Sequence, residues 1–205
     1  MKKAVIFDWG GVLIDNPEPA FVHFMSQYFG VGEEVISPVR KRLALDFQRG
    51  MQEEEYWRRF CSELGLSVPV VNSSHTKSLW ARAFEFAYSP KQEMFQLASD
   101  LHRGGYKIAL LSNTEMPSVD FFKAQNYEMF DVAVFSCVEG ILKPDREIYM
   151  ITVERLGVSP REAVFIDDKS DYVEGARLAG LNAFLFQSPQ QAKTELRNYG
   201  KIVQK

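Results

Sequence analysis

Five short apolar runs, separated by turns and helical patterns, constrain this chain more than any other feature. They are Lys3–Phe7, Tyr106–Leu111, Val132–Phe135, Ala163–Ile166 and Asn182–Phe186. Each is rich in Val, Ile, Leu, Phe or Ala and lacks strict polar alternation. Such runs suit strands buried on both faces, as in a parallel sheet. Helical patterns lie between them near Lys91–Arg103, Pro117–Gln125, Arg146–Leu156 and Tyr172–Ala179. Gly104-Gly105 closes the first of these as a C-cap, and Gly180 closes the last. Strands alternating with helices predict a doubly wound α/β core. With 205 residues, 46% of them hydrophobic, the chain can bury a real core as one domain or one domain carrying an insertion.

The alternation breaks between Pro17 and Ser89. This stretch is strand-poor, with helical patterns at Phe21–Phe29, Val35–Arg49, Glu53–Leu64 and His75–Phe86. Ser37-Pro38 and Met51-Gln52 read as breaks between helices. The stretch is too long for an ordinary loop between a strand and a helix. It reads as a helical cap over the C-terminal edge of the sheet, where ligands of such sheets bind. The expected division is a core of residues 1–16 and 90–205 and a cap of residues 17–89. Gln187–Lys205 is a polar tail with one short helix.

Several classes of function are disfavoured. Net charge is −3, and no basic run or face suggests a nucleic-acid partner. No apolar run approaches the roughly 18 residues of a membrane span. Met1-Lys2-Lys3 leads straight into a short strand, unlike a secretory signal. Cys61 and Cys137 lack metal-ligand spacing and read as buried thiols in a reducing cytoplasm. His23, His75 and His102 have no paired spacing. A cytoplasmic monomer or weak homodimer is expected.

Polar clusters stand at the strand ends. Asp8 follows the first strand, Ser112-Asn113-Thr114 the second, and Asp167-Asp168 the fourth, with Asp171 three residues on. Lys143-Pro144 lies in the loop after the third. Strand tips of one parallel sheet face the same edge, so the clusters can converge. Several carboxylates together repel each other without a cation. Asp8 and Asp168 with carbonyls and waters suit Mg²⁺. Ser112, Asn113 and Lys143 can hold phosphate oxygens, and a carboxylate can attack phosphorus in such a site. In a response-regulator receiver the acidic pair comes first in the chain. Here the single Asp comes first and the pair last, which argues against a receiver.

Together these clusters resemble the haloacid dehalogenase (HAD) superfamily of phosphohydrolases. Phe7-Asp8-Trp9-Gly10-Gly11-Val12-Leu13 stands where the family has D-x-D-G-T/V-L. Leu111-Ser112-Asn113 is similar to its second motif, and Gly140-Ile141-Leu142-Lys143-Pro144 to its third. Phe165-Ile166-Asp167-Asp168-Lys169-Ser170-Asp171 is similar to its fourth and runs into Val173-Glu174-Gly175-Ala176. The resemblance implies that Asp8 attacks phosphorus. It implies that Asp8, Asp168 and the Gly10 carbonyl ligate Mg²⁺. Asp167 and Asp171 would act behind them, through water or on Lys143. It also implies that Ser112 and Lys143 bind the phosphoryl group of a small phosphorylated metabolite, with Asn113 lining the site.

Two positions depart from the pattern. The second Asp of the first motif, the family's general acid/base, is Gly10. Loss of such a group typically lowers rate by about 10²–10⁴-fold. Gly two after the nucleophile resembles the sugar-phosphate branch, including glucose-1-phosphate phosphatases, with Gly11 for Asn. Tyr172 stands where Asn is usual. The 2-haloacid dehalogenases share the fold but need no metal, and Gly10 and the intact acidic pair disfavour them. A non-catalytic phospholigand-binding member is the other alternative. Trp9 is placed either to wall the pocket or to pack beneath the turn. The cap aromatics Phe24, Phe47, Tyr56, Trp57 and Trp80 are expected in the core, with one or two in the pocket. Arg49 is a candidate cap contact to substrate.

Overall fold

The computed structural model describes residues 4–69 and 77–199. Strands β1 (Ala4–Phe7), β2 (Lys107–Ser112), β3 (Val132–Phe135), β4 (Ala163–Asp167) and β5 (Asn182–Leu185) form a parallel sheet in the order β3-β2-β1-β4-β5. Ile6 of β1 pairs in register with Ala109 of β2 and Phe165 of β4. The chain winds outward from β1 through β2 to β3, then returns to the far side of β1 for β4. The strand order therefore switches between β1 and β4, the place where ligands of such sheets bind.

In chain order the helices are α1 (Glu18–Phe29), α2 (Glu33–Gln48), α3 (Glu53–Leu64), α4 (Leu79–Ala87), α5 (Gln92–Arg103), α6 (Met116–Ala124), α7 (Ser136–Glu139), α8 (Arg146–Leu156), α9 (Ser170–Leu178) and α10 (Pro189–Asn198). Alternate residues of each strand point to opposite faces. Val5 and Phe7 pack with α5, α6 and α10, whereas Ala4 and Ile6 pack with α8 and α9. This is the expected doubly wound arrangement, with helices on both faces.

Helices α1–α4 build an aromatic cluster of their own. Phe47 and Tyr56 stack with centroids 4.5 Å apart, and Trp80 meets Phe47 edge-on at 4.6 Å. This cluster is continuous with the core on one face of the sheet. Trp9 joins them, with its ring 5.1 Å from Phe84 of α4 and 5.4 Å from Phe122 of α6.

The break expected at Ser37-Pro38 does not occur, because α2 runs through Pro38. Proline there removes one helical N–H bond near the N-terminus. Burial of Ile36, Val39, Leu43 and Phe47 along one face holds the helix together. The helix expected from His75 begins at Leu79, and His75 itself lies outside the described residues. Among the described residues, no helix is long and apolar enough to cross a membrane.

Candidate active site

Asp8 is the first residue beyond β1, and its N–H donates to the Ile166 carbonyl at 2.9 Å. That bond extends the sheet pairing by one step and aims the carboxylate off the C-terminal edge. The chain then turns through Trp9-Gly10-Gly11, with three amides (Val12, Leu13 and Ile14) donating to the Trp9 carbonyl. Gly11 has φ of +87°, and a Cβ there would lie 2.2 Å from Asp168 Oδ2. Glycine is thus required both by the backbone and by the close approach of the Asp168 carboxylate. Gly10 is different: a Cβ would meet only the Pro17 ring, at 3.4 Å.

Lys143 is the hub of the site. Its Nζ donates to Asp8 Oδ1 at 2.7 Å, to Asp167 Oδ2 at 2.6 Å and to the Leu111 carbonyl at 3.1 Å. The side chain is 2% exposed, so all three ammonium protons are matched to protein acceptors. Asn113 holds the Lys143 backbone from both sides. Its Nδ2 donates to the Lys143 carbonyl at 3.0 Å, and its Oδ1 accepts from the Lys143 amide at 2.9 Å. Helix α9 backs the same loop. Gly175 sits so close that a Cβ would fall 2.6 Å from Pro144 Cβ.

Electrostatics follow from this crowding. Burial, and then the Asp167 carboxylate, push the Asp8 pKa up to about 7, against the pull of Lys143. Burial and Asp167 also raise Asp168. Burial opposes the charge on Lys143, but Asp8 and Asp167 more than offset it and hold the ammonium protonated. Three carboxylates against one ammonium leave an excess of negative charge. Oxygens of Asp8, Asp167 and Asp168 all lie within 4.8 Å of one another. Asp168 Oδ1 is buried and has no hydrogen-bond partner. An all-oxygen cluster with surplus negative charge and an unpartnered carboxylate oxygen fits a hard divalent cation such as Mg²⁺.

The cluster opens into a cavity of about 340 Å³. From the core side, Asp8, Trp9, Gly10, Ser112, Asn113, Lys143, Asp168 and Tyr172 line it. From the helical insertion come Phe21, Arg40, Gln48, Tyr56, Trp80 and Phe84.

Residues 2–180 match the sequence profile of the haloacid dehalogenase-like hydrolases. The chain belongs to this family. It is 32% identical over 204 residues to mouse acyl-CoA dehydrogenase family member 10. That match covers 95% of this chain but spans only 19% of the mouse protein. A sesquiterpene phosphatase of Aspergillus oryzae is 26% identical over 183 residues, covering 87% of each chain. Among solved structures, a HAD family enzyme of Bacteroides thetaiotaomicron, crystallised with magnesium and inorganic phosphate, superposes with a TM-score of 0.72. It shares 20% identity and covers 91% of this chain and 95% of its own. At that identity the likeness speaks to the fold.

Within this HAD chain the structure sorts the sequence candidates. Asp8, Gly10, Ser112, Asn113, Lys143 and Asp168 come together around the cavity. Asp167 lies behind them, fully buried. Its Oδ2 accepts from Lys143, and its Oδ1 accepts from the Lys169 amide at 2.8 Å. Asp171 is exposed and off the cavity, and the ion partners of Lys143 are Asp8 and Asp167. Trp9 meets both expectations, packing under α4 and α6 while lining the cavity. Tyr172 stands at the position where Asn is usual, and its phenol oxygen accepts from Asn113 Nδ2 at 3.3 Å. Arg49 stands exposed at the end of α2 and does not line the cavity.

Sequence reasoning missed Arg40 and Glu115, both buried and both on the cavity wall. Arg40 left a trace, as a charged residue inside the apolar stripe Ile36, Val39, Leu43, Phe47 of one helix. Glu115 left none, since a carboxylate opening a helix is common.

Substituting Gly11 by Ala is expected to displace the Asp168 carboxylate. The Mg²⁺ concentration giving half-maximal thermal stabilisation should then rise by about 10-fold or more, as for other disturbed supports of a metal ligand. An unshifted Mg²⁺ titration, followed by thermal unfolding, would show that Asp168 does not need this glycine.

Proposed function

We propose that this chain is a Mg²⁺-dependent phosphatase. On this reading it hydrolyses a small phosphate monoester, of the sugar-phosphate kind, through an aspartyl-phosphate on Asp8. Residues 17–89 would act as its cap domain over a core of 1–16 and 90–205. One observation carries the reading. A buried carboxylate at the strand-order switch is gripped by a fully sequestered lysine, beside an unpartnered Asp168 oxygen. The phosphatase relative and the magnesium- and phosphate-bound structural neighbour support it.

The residues divide the work. Lys143 holds Asp8 in its ionised, attacking form and offers positive charge to the phosphoryl oxygens. Ser112 and Asn113 stand at the β2 tip, where the Ser112 hydroxyl can donate to the same oxygens, while the Asn113 amide lines the site and directs its N–H groups to the Lys143 carbonyl and Tyr172. Asp8 Oδ attacks phosphorus, the ester P–O bond breaks, and the leaving oxygen takes a proton from water to depart as the alcohol. Water then attacks the phosphorus of the acyl phosphate, releasing inorganic phosphate and restoring the carboxylate. Mg²⁺, held by Asp8, Asp168 and the Gly10 carbonyl, would neutralise charge on the transferring group. Positioning and charge neutralisation supply most of the rate in such reactions. A panel of phosphate esters, assayed with and without Mg²⁺, tests the proposal. No hydrolysis above the Asp8→Asn background would overturn it.

Gly10 leaves the departing alcohol without the usual side-chain acid. A Cβ at Gly10 would meet only the Pro17 ring, at 3.4 Å, so the first atom of a side chain has room there. Gly10→Asp is therefore expected to raise turnover of alkyl phosphates by about 10-fold or more, with little gain for aryl phosphates, whose weakly basic phenoxides leave unaided. Steady-state rates on the two ester classes measure this. An equal change on both would place the missing acid elsewhere.

A further inference from the structure

Among the described residues, four buried side-chain polar atoms have no hydrogen-bond partner, and all four belong to residues lining the same cavity. Asp168 Oδ1 belongs to the cation site. Trp9 Nε1, Arg40 Nη1 and Tyr56 Oη are not used by the phosphoryl chemistry. These side chains are 2%, 8% and 1% exposed, so bulk water does not satisfy them. Buried donors without acceptors are uncommon and point to something that occupies them.

The three are held in place. Arg40 grips Glu18 with Nε (3.1 Å) and Nη2, and its guanidinium lies over the Phe21 ring at 4.0 Å and the Trp80 ring at 4.8 Å. That fork leaves Nη1 without a well-formed hydrogen bond. The Tyr56 ring is stacked on Phe47. Arg40 lies close enough to the Tyr56 hydroxyl to act on it as a donor, while burial keeps that hydroxyl neutral and its own proton free to donate. Trp9 is wedged between α4 and α6.

Glu18 pairs with Arg40, and Glu115 adds a second buried carboxyl, held by Gln48 Nε2 at 3.1 Å. Lys41 and Lys169 also line the cavity, so charge alone does not select the ligand. A pure hydrocarbon would cover three donors and satisfy none, which binding sites discriminate against strongly. Acceptor oxygens on the ligand meet that need. Phe21, Trp80 and Phe84 supply flat apolar walls for the C–H face of a ring.

We propose that Arg40 Nη1, Tyr56 Oη and Trp9 Nε1 are the specificity donors for the leaving alcohol. That alcohol is a ring bearing several hydroxyl or ether oxygens, not a hydrocarbon chain. The assignment rests on the phosphatase reading for its phosphoryl end. A cavity of about 340 Å³ is at the small-metabolite end of ligand pockets, which suits one such ring plus a phosphoryl group.

The test is equilibrium binding by calorimetry to full-length, Mg²⁺-loaded Asp8→Asn protein. The probes are a hexose 1-phosphate, phenyl phosphate and a fifteen-carbon prenyl phosphate. The hexose monophosphate should bind at least about 10-fold tighter than each of the others. Adding Tyr56→Phe or Arg40→Lys should shrink the hexose-to-phenyl ratio by about 10-fold. Circular dichroism and thermal unfolding establish that each variant is folded. A ratio unchanged in the folded Tyr56→Phe variant, or tighter binding of the prenyl phosphate, would overturn the assignment. Wild-type turnover of the hexose 1-phosphate is measured alongside. Its absence together with an intact hexose preference would overturn the phosphatase reading while supporting the three donors as a ligand site.

Discussion

Replacing Asp8 by Asn should lower kcat for any accepted phosphate ester by about 10⁴-fold or more, the scale seen when a covalent nucleophile is removed. The amide keeps the size of the carboxylate, and its oxygen can still accept from Lys143. It removes one of three crowded carboxylates, and with it the buried charge whose desolvation pushes Asp8 up to about 7. Thermal stability without Mg²⁺ should therefore be equal to or above that of the wild type. Phosphate release and thermal unfolding on the same samples read out both parts. Activity within tenfold of wild type would remove Asp8 from the role of nucleophile. A large drop in stability would mean that the lost activity reflects unfolding instead.

Lys143→Met should have the largest effect on stability. Asp8 and Asp167 would remain buried with the ammonium gone, and the Leu111 carbonyl would lose a donor. Breaking a buried ion pair from one side typically destabilises by about 3–5 kcal/mol. The sign of the pH dependence follows from the carboxyls. Their ordinary value is 3.8, and burial and mutual repulsion raise Asp8 in the folded chain. A folded-state pKa above the unfolded one gives stability that is full below about pH 4 and is lost as pH rises. The Lys143→Met deficit should therefore be smallest in acid and grow toward neutral pH. Saturating Mg²⁺ should recover part of it by supplying another cation. Urea unfolding at several pH values, with and without Mg²⁺, measures this. A pH-independent deficit would show that packing, not charge, is what Lys143 contributes.

Much of the fold could be read from local pattern. β1 is four residues long, yet its all-apolar run, the abrupt Asp8 and the glycines beyond mark a buried strand tip without any knowledge of its neighbours. The same holds for β4 and Asp167-Asp168. Pro38 was misread because a proline signals a helix break locally, whereas the buried face of α2 is a tertiary property that outweighs one lost N–H bond. Arg49 and Arg40 show the same limit. They stand nine residues apart, which at about 100° per residue puts them on opposite sides of a helix. Only packing against α1 and α3 decides which side meets the cavity.

The sequence by itself determined the doubly wound core, the four strand-end clusters and their order, because strand periodicity and turn chemistry are local and strand tips of a parallel sheet share one edge. The tertiary structure alone decided how those groups partner. It gave Lys143 to Asp8 and Asp167 and left Asp171 outside. It pressed Asp168 against Gly11. It also brought Arg40, Tyr56 and Trp9, from three separate elements, to one cavity with their donors unspent. The physical reason is that facing, burial and hydrogen-bond pairing between distant segments depend on how whole helices pack, and no short stretch of chain carries that information.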